Sequence, residues 1–211
     1  MTARRTIALT LLVIGVAATA LVALRLAPGP KPLWTDPASE LEAGTVLPEP
    51  RTLPEFALLD HHGRAFGPTD LAGRWTLVFA GFTHCPDICP ATLAILAGLD
   101  EQLQAEGVEL QMLFVSVDPE RDDPATLAQY VAHFSPRLIG ATGDKPEIDT
   151  LMAGLGFAYI KVPLGGGNYT VDHSAALALV DPRGRVAAYF TPPLRPAALA
   201  ADLAVVARPR R

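Results

Sequence analysis

A strand–helix–strand unit in the middle of the chain constrains the fold most. Residues 75–79 (Trp-Thr-Leu-Val-Phe) form an apolar, partly β-branched run, as expected of a strand that is buried on both faces. A helix is predicted from about Pro90 to Gly107, and residues 108–117 predict a second buried strand. The apolar side of this helix is formed by Leu93, Leu96, Leu99 and Leu103. Two buried strands joined through a helix predict a parallel sheet that is covered by helices.

The elements on either side extend this unit to an α/β sandwich. A β-hairpin is predicted at residues 56–66, with residues 60–63 (Asp-His-His-Gly) as its turn. Beyond it the predicted elements are helices at about 123–133 and 144–154, strands at 157–162 and 175–180, a turn at 181–184, a strand at 186–190 and a helix at 196–207. This order predicts an α/β fold with a central mixed β-sheet, parallel in its first half and closed by an antiparallel hairpin.

An apolar segment precedes the predicted domain. Residues 6–24 contain no charged side chain and lie between Arg4-Arg5 and Arg25. A helix of that length spans about 28 Å, close to the thickness of a bilayer core. Residues 1–26 are therefore predicted to be a single-pass transmembrane anchor. The alternative is a signal peptide that is cleaved near Ala18-Thr19-Ala20.

The next segment predicts a spacer between this anchor and one folded domain. Residues 27–52 hold six prolines and show no apolar periodicity, so we expect an extended linker there. The folded domain is predicted at residues 53–211. The short leader lacks the longer Arg- and Ser-rich pattern of a mitochondrial presequence. This favours a bacterial inner membrane, with the domain on the periplasmic side.

Charge and motifs argue against several classes of partner. The net charge is −5, from 17 Lys and Arg against 22 Asp and Glu, and no basic run with interleaved aromatics could neutralise a phosphate backbone. Nucleic acid is therefore not expected as a partner. The chain also lacks a GxxxxGK loop and a GxGxxG turn between a strand and a helix, so no pattern supports nucleotide binding.

The chain has two cysteines, and both lie in the turn between the first buried strand and its helix. Cys85 and Cys89 stand in Gly-Phe-Thr-His-Cys-Pro-Asp-Ile-Cys-Pro at residues 81–90. A purely structural disulfide here would close a very short loop and stabilise little. The positive end of the helix is expected to lower the pKa of the thiols, and thiolates either attack a disulfide or bind a soft metal. Pro86 and Pro90 should stiffen the loop.

One of the five histidines is placed to complete a metal site. His61, His62 and His133 are predicted to be solvated side chains at a hairpin tip and a helix end. His84 adjoins Cys85 but should point in another direction. His173 follows a loop with three glycines at residues 163–168 and directly precedes an apolar strand. A histidine at the end of such a mobile loop could move onto a ligand site.

Three stretches carry a resemblance to a known family. Residues 81–90, residues 116–122 (Ser-Val-Asp-Pro-Glu-Arg-Asp) and residues 169–174 (Tyr-Thr-Val-Asp-His-Ser) resemble those of the Sco/SenC proteins. The resemblance extends from about Leu53 to the last helix. It implies a thioredoxin-like fold and a copper site formed by Cys85, Cys89 and His173. It further implies copper delivery to the CuA centre of cytochrome c oxidase subunit II.

The donor chemistry agrees with that implication. Two thiolates and one imidazole suit Cu(I) or Cu(II), whereas a closed structural zinc site needs four ligands. Copper is then a cargo that passes on by ligand exchange, and no residue is predicted to be catalytic. Because a Cys85–Cys89 disulfide would abolish binding, a thiol reductant is also implied as a partner.

The main alternative is a thiol–disulfide oxidoreductase that uses the same two cysteines. It would reduce the cysteines of the recipient protein and would give His173 no necessary role. A peroxidase is a weaker alternative, since the cysteines lack the TxxC context of peroxiredoxins.

Two further patterns concern the surroundings of the site. Asp118, Glu120 and Arg121 follow the second buried strand, as either an edge for docking or a loop-closing turn. Asp172 is a candidate for orienting the His173 ring.

Overall fold

A computed structural model of the chain describes residues 41–207. Within this range it contains ten strands and four α-helices. In chain order they are β1 (Thr45–Thr52), β2 (Leu58–Asp60), β3 (Ala65–Phe66), β4 (Thr76–Gly81), α1 (Ile88–Ala105), β5 (Gln111–Ser116), α2 (Pro124–Ala132), β6 (Ile139–Thr142), α3 (Lys145–Leu155), β7 (Tyr159–Gly165), β8 (Asn168–His173), β9 (Leu177–Val180), β10 (Arg185–Phe190) and α4 (Pro196–Ala207).

The predicted mixed central sheet is confirmed. Eight strands lie in the order β1-β10-β9-β4-β5-β6-β2-β3. Strands β4, β5 and β6 are parallel, whereas β9 runs antiparallel to β4 and forms a hairpin with β10. All six residues of β4 are buried, as expected of a strand at the centre of a sheet with helices on its faces. The carboxyl end of β4 is where the two cysteines follow.

Helix α1 has the predicted apolar side. Its leucines at 93, 96, 99 and 103 are each at most 3% exposed. The helix begins at Ile88, two residues before the predicted start, and ends ahead of Gly107, whose φ of +72° suits the residue that terminates a helix. Helix α4 contacts α1, so the two cover the sheet together.

The folded domain begins earlier than predicted. Strand β1 covers the last eight residues of the predicted linker and pairs antiparallel with β10. Its pairing is interrupted between Val46 and Arg51, where Pro48 and Pro50 lie. Proline lacks an amide donor but is tolerated at an edge strand, which is why a proline-rich segment can still join the sheet.

A buried carboxylate holds the chain ahead of β1. Asp202 of α4 is 5% exposed and accepts hydrogen bonds from the backbone amides of residues 42–44, at 2.8, 2.7 and 3.2 Å. The final helix is thereby connected to the segment that enters the domain.

The predicted glycine-rich mobile loop is a tight turn. Strands β7 and β8 form a hairpin, and Gly165, Gly166 and Gly167 at its tip have φ values of +89°, +62° and +82°. Glycine adopts such angles without a steric penalty. His173 is therefore the last residue of a strand rather than the end of a flexible loop.

The predicted membrane segment, residues 6–24, lies outside the described residues. Within residues 41–207, no helix combines the length and the apolar character that crossing a bilayer requires.

Candidate metal centre

The two cysteines occupy the turn from β4 into α1. Cys85 is 9% exposed and its amide donates to the carbonyl of Phe82 at 3.2 Å. Cys89 lies in the first turn of α1, is 0% exposed, and donates its amide to the Cys85 sulfur at 3.4 Å. Both thiols are free. The turn thus directs both sulfurs to the same side, as the CxxxC spacing predicts.

Strand β8 brings the imidazole of His173 to these sulfurs. His173 Nε2 lies 3.3 Å from the Cys89 sulfur, although the two residues are 84 positions apart. The donor atoms of Cys85, Cys89 and His173 all lie within 4.8 Å of one another. Within residues 41–207, these three form the one such group of metal-binding side chains.

The second ring nitrogen fixes the tautomer of His173. Nδ1 lies 3.1 Å from the carbonyl oxygen of Ser174, which can only accept a hydrogen bond. Nδ1 therefore carries the proton, and the lone pair of Nε2 faces the sulfur. The prediction that Asp172 orients the ring is wrong, because the Ser174 carbonyl has that role and Asp172 is exposed. Such a partner on the other ring nitrogen is usual for histidines that bind metals.

Burial shapes the protonation of the site. The His173 ring packs edge-on against Phe79 and Phe82, with ring centroids 5.9 and 6.1 Å apart. This burial lowers the pKa of His173 and favours the neutral imidazole that binds metals. Burial also raises the pKa of Cys89 strongly. The prediction that the pKa of the thiols is lowered is therefore wrong for Cys89, where loss of solvent is the largest influence on the pKa.

Gly81 leaves no room for a side chain beside the site. A Cβ atom at this position would lie 2.7 Å from the Cys89 sulfur and 2.7 Å from Cε2 of Phe114. Only glycine allows the end of β4 to approach the sulfur so closely.

Asp122 supports the loop that carries the cysteines through hydrogen bonds. Its carboxylate is 0% exposed and accepts hydrogen bonds from the Thr83 amide at 2.9 Å, the Thr83 hydroxyl at 2.5 Å and the Ser116 hydroxyl at 2.6 Å. No sequence pattern pointed to this role, because Thr83 and Asp122 are 39 residues apart.

The segment after β5 is a turn with an internal ion pair. Amides of Arg121 and Asp122 donate to the carbonyl of Asp118, which supports the loop-closing interpretation. Asp118 is 0% exposed, and its carboxylate accepts from Nε of Arg121 and from the Tyr169 hydroxyl. Glu120 is exposed and pairs with Lys161 at 2.5 Å.

The other histidines lie outside the cluster. His84 is exposed, with Nδ1 3.1 Å from the Thr83 hydroxyl. His61 differs from the prediction of a solvated side chain, because its Nδ1 accepts the amide of Gly140 at 3.1 Å.

Fold and site together define a class of protein. A mixed sheet whose central strand leads through a CxxxC turn into a helix, with a histidine facing the sulfurs, is a thioredoxin-like domain with a candidate thiol–imidazole metal centre. A sequence model described as SCO1/SenC matches residues 45–208. The chain therefore belongs to the SCO1/SenC family.

Relatives and solved structures support the assignment. The bovine mitochondrial protein SCO2 homolog is 44% identical over 140 residues, which make up 65% of this chain and 53% of that protein. The copper-bound structure of ScoI from Bradyrhizobium japonicum is 38% identical, with a TM-score of 0.67, and the match covers 72% of this chain and 97% of that one. The copper-bound crystal structure of Arabidopsis thaliana ScoI is 34% identical, with a TM-score of 0.68, covering 72% and 94%. The chain spans about half the length of the mitochondrial SCO2 relatives it matches.

Proposed function

We propose that this protein binds one copper ion through Cys85, Cys89 and His173 and delivers it to the CuA centre of cytochrome c oxidase subunit II. The observation that carries the proposal is the grouping of two sulfurs and one imidazole nitrogen within 4.8 Å, in a chain of the SCO1/SenC family. Similar proteins from Bradyrhizobium and Arabidopsis have been solved with copper bound.

The donor set fits copper. Two sulfurs and one imidazole suit Cu(I) and Cu(II), and three ligands leave the shell open. Pro86, Asp87 and Ile88, which lie between the two cysteines in the chain, are exposed, so a recipient can approach the protein beside the cysteines. With three protein ligands, a ligand of the recipient would be able to bind the copper before a ligand of the donor leaves.

The proposed ligands differ in whether they must lose a proton when copper binds. His173 needs no deprotonation, since its Nε2 lone pair already faces Cys89. The buried thiol of Cys89 must lose its proton when a metal binds, because the thiolate is the ligand. Copper binding is therefore expected to release protons and to strengthen as the pH rises.

Delivery to the oxidase rests on the family assignment. Copper is a cargo in this proposal, and the protein is not an enzyme. Transfer proceeds by exchange of ligands, with the recipient's donors replacing those of the CxxxC loop. A cellular thiol reductant is required, because two free sulfurs within 4.8 Å can also be oxidised to a disulfide that binds no copper.

Membrane attachment completes the proposal. Residues 6–24 would anchor the protein in a bacterial inner membrane, with the copper site on the periplasmic side. Carbonate extraction of membranes tests this, because an anchored protein stays in the pellet and a cleaved one is released.

Thiol–disulfide exchange is the second candidate. The proximity of the two free sulfurs favours it, since they can form a disulfide within one loop. The burial of Cys89 weakens it, because a thiol with a raised pKa holds little thiolate at neutral pH. Copper binding also uses His173, which a dithiol reductant does not need.

Copper titration of the reduced protein from residue 27 onward tests the proposal. We expect one copper per chain, with thiolate-to-copper charge-transfer bands in Cu(II). His173→Ala should weaken Cu(II) binding strongly, and replacing either cysteine by serine should abolish it. His84→Ala is the matched control, since this histidine adjoins Cys85 but lies outside the cluster. Absence of tight copper binding would favour the thiol–disulfide function instead.

A cellular experiment tests delivery. Cells that lack the gene should lose CuA-dependent oxidase activity, and the wild-type gene should restore it. A His173→Ala gene that restores full activity would contradict the assignment of this residue as a ligand.

A further inference from the structure

The hairpin that carries His173 is separate from the main sheet. Strands β7 and β8 pair only with each other among the described strands, whereas the cysteines follow β4 at the centre of the eight-stranded sheet. The chain after His173 enters β9, whose first residue, Leu177, pairs with Phe79 of β4, so one end of β8 is tied to the main sheet. The rest of the hairpin is held by side chains, and Val171, which is 3% exposed, anchors part of β8 in the core.

The base of the hairpin is attached to α3. The hydroxyl of Tyr159 donates to Asp149 at 2.5 Å, and Tyr159 is the register partner of His173. This contact holds the hairpin to a helix, but it does not join the hairpin to the cysteine loop.

Tyr169 provides that second attachment, four residues before His173. Its ring lies 3.8 Å below the guanidinium carbon of Arg121, and its carbonyl accepts from Nη1 of Arg121 at 3.2 Å. Its hydroxyl donates to Asp118 at 2.8 Å, and the same carboxylate accepts from Nε of Arg121. We call Asp118, Arg121 and Tyr169 the Arg121 clamp.

The clamp also reaches the cysteine loop. The Arg121 guanidinium lies 5.5 Å from the centre of the Phe82 ring, and Phe82 packs edge-on against His173. In the same turn, Asp122 binds Thr83 next to the cysteines. One short segment after β5 thus contacts the sulfur half and the imidazole half of the site.

The geometry requires arginine. A planar guanidinium can stack on Tyr169 while its edge donates to Asp118 and to the Tyr169 carbonyl, whereas a lysine ammonium is a point charge. Lys161 adds a second cation over the Tyr169 ring, at 4.4 Å, and is itself held by Glu120. Nη2 of Arg121 is buried without a hydrogen-bond partner, so the side chain is held in place by stacking and its other donors.

We propose that Arg121 is a positioning residue that holds the β7–β8 hairpin against the cysteine loop and so keeps the His173 imidazole on the metal. This inference rests on the proposed copper function. Without the clamp the cysteines stay in place, and the site becomes a two-sulfur site with an intermittent imidazole. Such a site should retain Cu(I), which soft sulfur ligands favour, and lose Cu(II).

Arg121→Gln tests the clamp, with Arg64→Gln as the matched control. Arg64 also pairs with a nearly buried carboxylate, Asp60, but on the β2–β3 hairpin. In the metal-free protein, hydrogen exchange of the amides of residues 168–173 should accelerate at least tenfold in Arg121→Gln, while those of β4 are unchanged. Cu(II) binding should weaken by about 10- to 100-fold, the range typical for loss of an outer group that positions a metal ligand, with reduced nitrogen coupling in the spin-resonance spectrum. Cu(I) binding should change less than about threefold, because its two sulfurs remain.

Each outcome decides a different point. If the wild-type protein binds no copper, the proposed function fails, and the exchange measurement still tests the clamp. If Arg121→Gln keeps slow exchange in β8 and full nitrogen coupling, the proposed positioning role of Arg121 is wrong. If Arg121→Gln loses protection everywhere, Tyr169→Phe decides, because it keeps the ring and removes only the hydrogen bond to Asp118. Exchange of residues 168–173 should then accelerate about fivefold, and unchanged exchange would overturn the proposal.

Discussion

Replacing Gly81 by alanine should damage both stability and copper binding through one methyl group. The new Cβ would lie 2.7 Å from the Cys89 sulfur and from Phe114, whereas ordinary contacts begin at 3.4 Å, so each neighbour must move by about 0.7 Å. Both neighbours are 0% exposed and held by α1 and β5. Overpacking of this kind costs about 1–3 kcal/mol. The backbone angle adds no strain, since the φ of Gly81 is not positive.

The same displacement should disturb the proposed metal ligands. A shift of about 0.7 Å at the Cys89 sulfur exceeds the roughly 0.2 Å within which ligand distances are normally kept. We therefore expect weaker copper binding and altered charge-transfer bands in Cu(II). Urea unfolding of the reduced protein measures the stability change, and copper titration measures the affinity.

Gly98→Ala provides the matched control. Gly98 lies in α1 and a Cβ there would meet nothing within 4 Å. This variant should gain about 0.5–1 kcal/mol, because alanine is the better helix former. If Gly81→Ala is as stable as the wild type and binds copper with unchanged bands, the conclusion that only glycine fits beside the Cys89 sulfur is wrong.

Three further perturbations test other parts of the structure. Asp122→Ala should lower the free energy of unfolding by about 3 kcal/mol in urea titration, because Thr83 loses two charged hydrogen bonds in the interior; a loss below 1 kcal/mol would refute the role of the carboxylate. Asp202→Ala should cost about 2 kcal/mol and speed proteolysis ahead of β1, and unchanged cleavage would contradict the contact with residues 42–44. Burial lowers the pKa of His61 in the folded protein. As the pH falls, His61 therefore takes up a proton in the unfolded chain before it does so in the folded protein, which favours unfolding. The stability that neutral His61 contributes is thus complete above about pH 6.5 and is lost as the pH falls through the lower pKa of the folded state. His61→Asn should flatten that dependence in urea midpoints between pH 7 and 5, and an unchanged slope would exclude His61 as its source.

The sequence predicts the central elements well because their physical causes are local. The apolar run of β4 and the spacing of the leucines in α1 each predict a buried segment from neighbouring residues alone, and both segments are buried. The start of α2 follows from Asp123, whose side chain accepts the amide of Thr126 at 2.7 Å, as an N-terminal cap should. The sequence predicts no strand at β1, β6 or β8. The prolines of β1 and the glycines beside β8 are typical of loops, and β6 is only four residues long.

The candidate site likewise has a part that the sequence predicts and a part that it does not. The grouping of Cys85 and Cys89 follows from their spacing, and the structure brings His173 to them. Asp122, Gly81 and the Arg121 clamp could not be predicted, because their roles depend on residues that meet only after folding. Tyr169 and Asp118 are 51 residues apart, and no periodic pattern records such a contact.

The three amide bonds to Asp202 have a mechanical consequence. Tension applied to the chain ahead of Leu41 is carried first by these bonds and next by the pairing of β1 with β10. Two more strand pairs, β10–β9 and β9–β4, separate that load from the strand that ends beside the cysteines. A moderate pull should therefore peel the edge of the sheet while the spacing of the sulfurs and the imidazole stays unchanged.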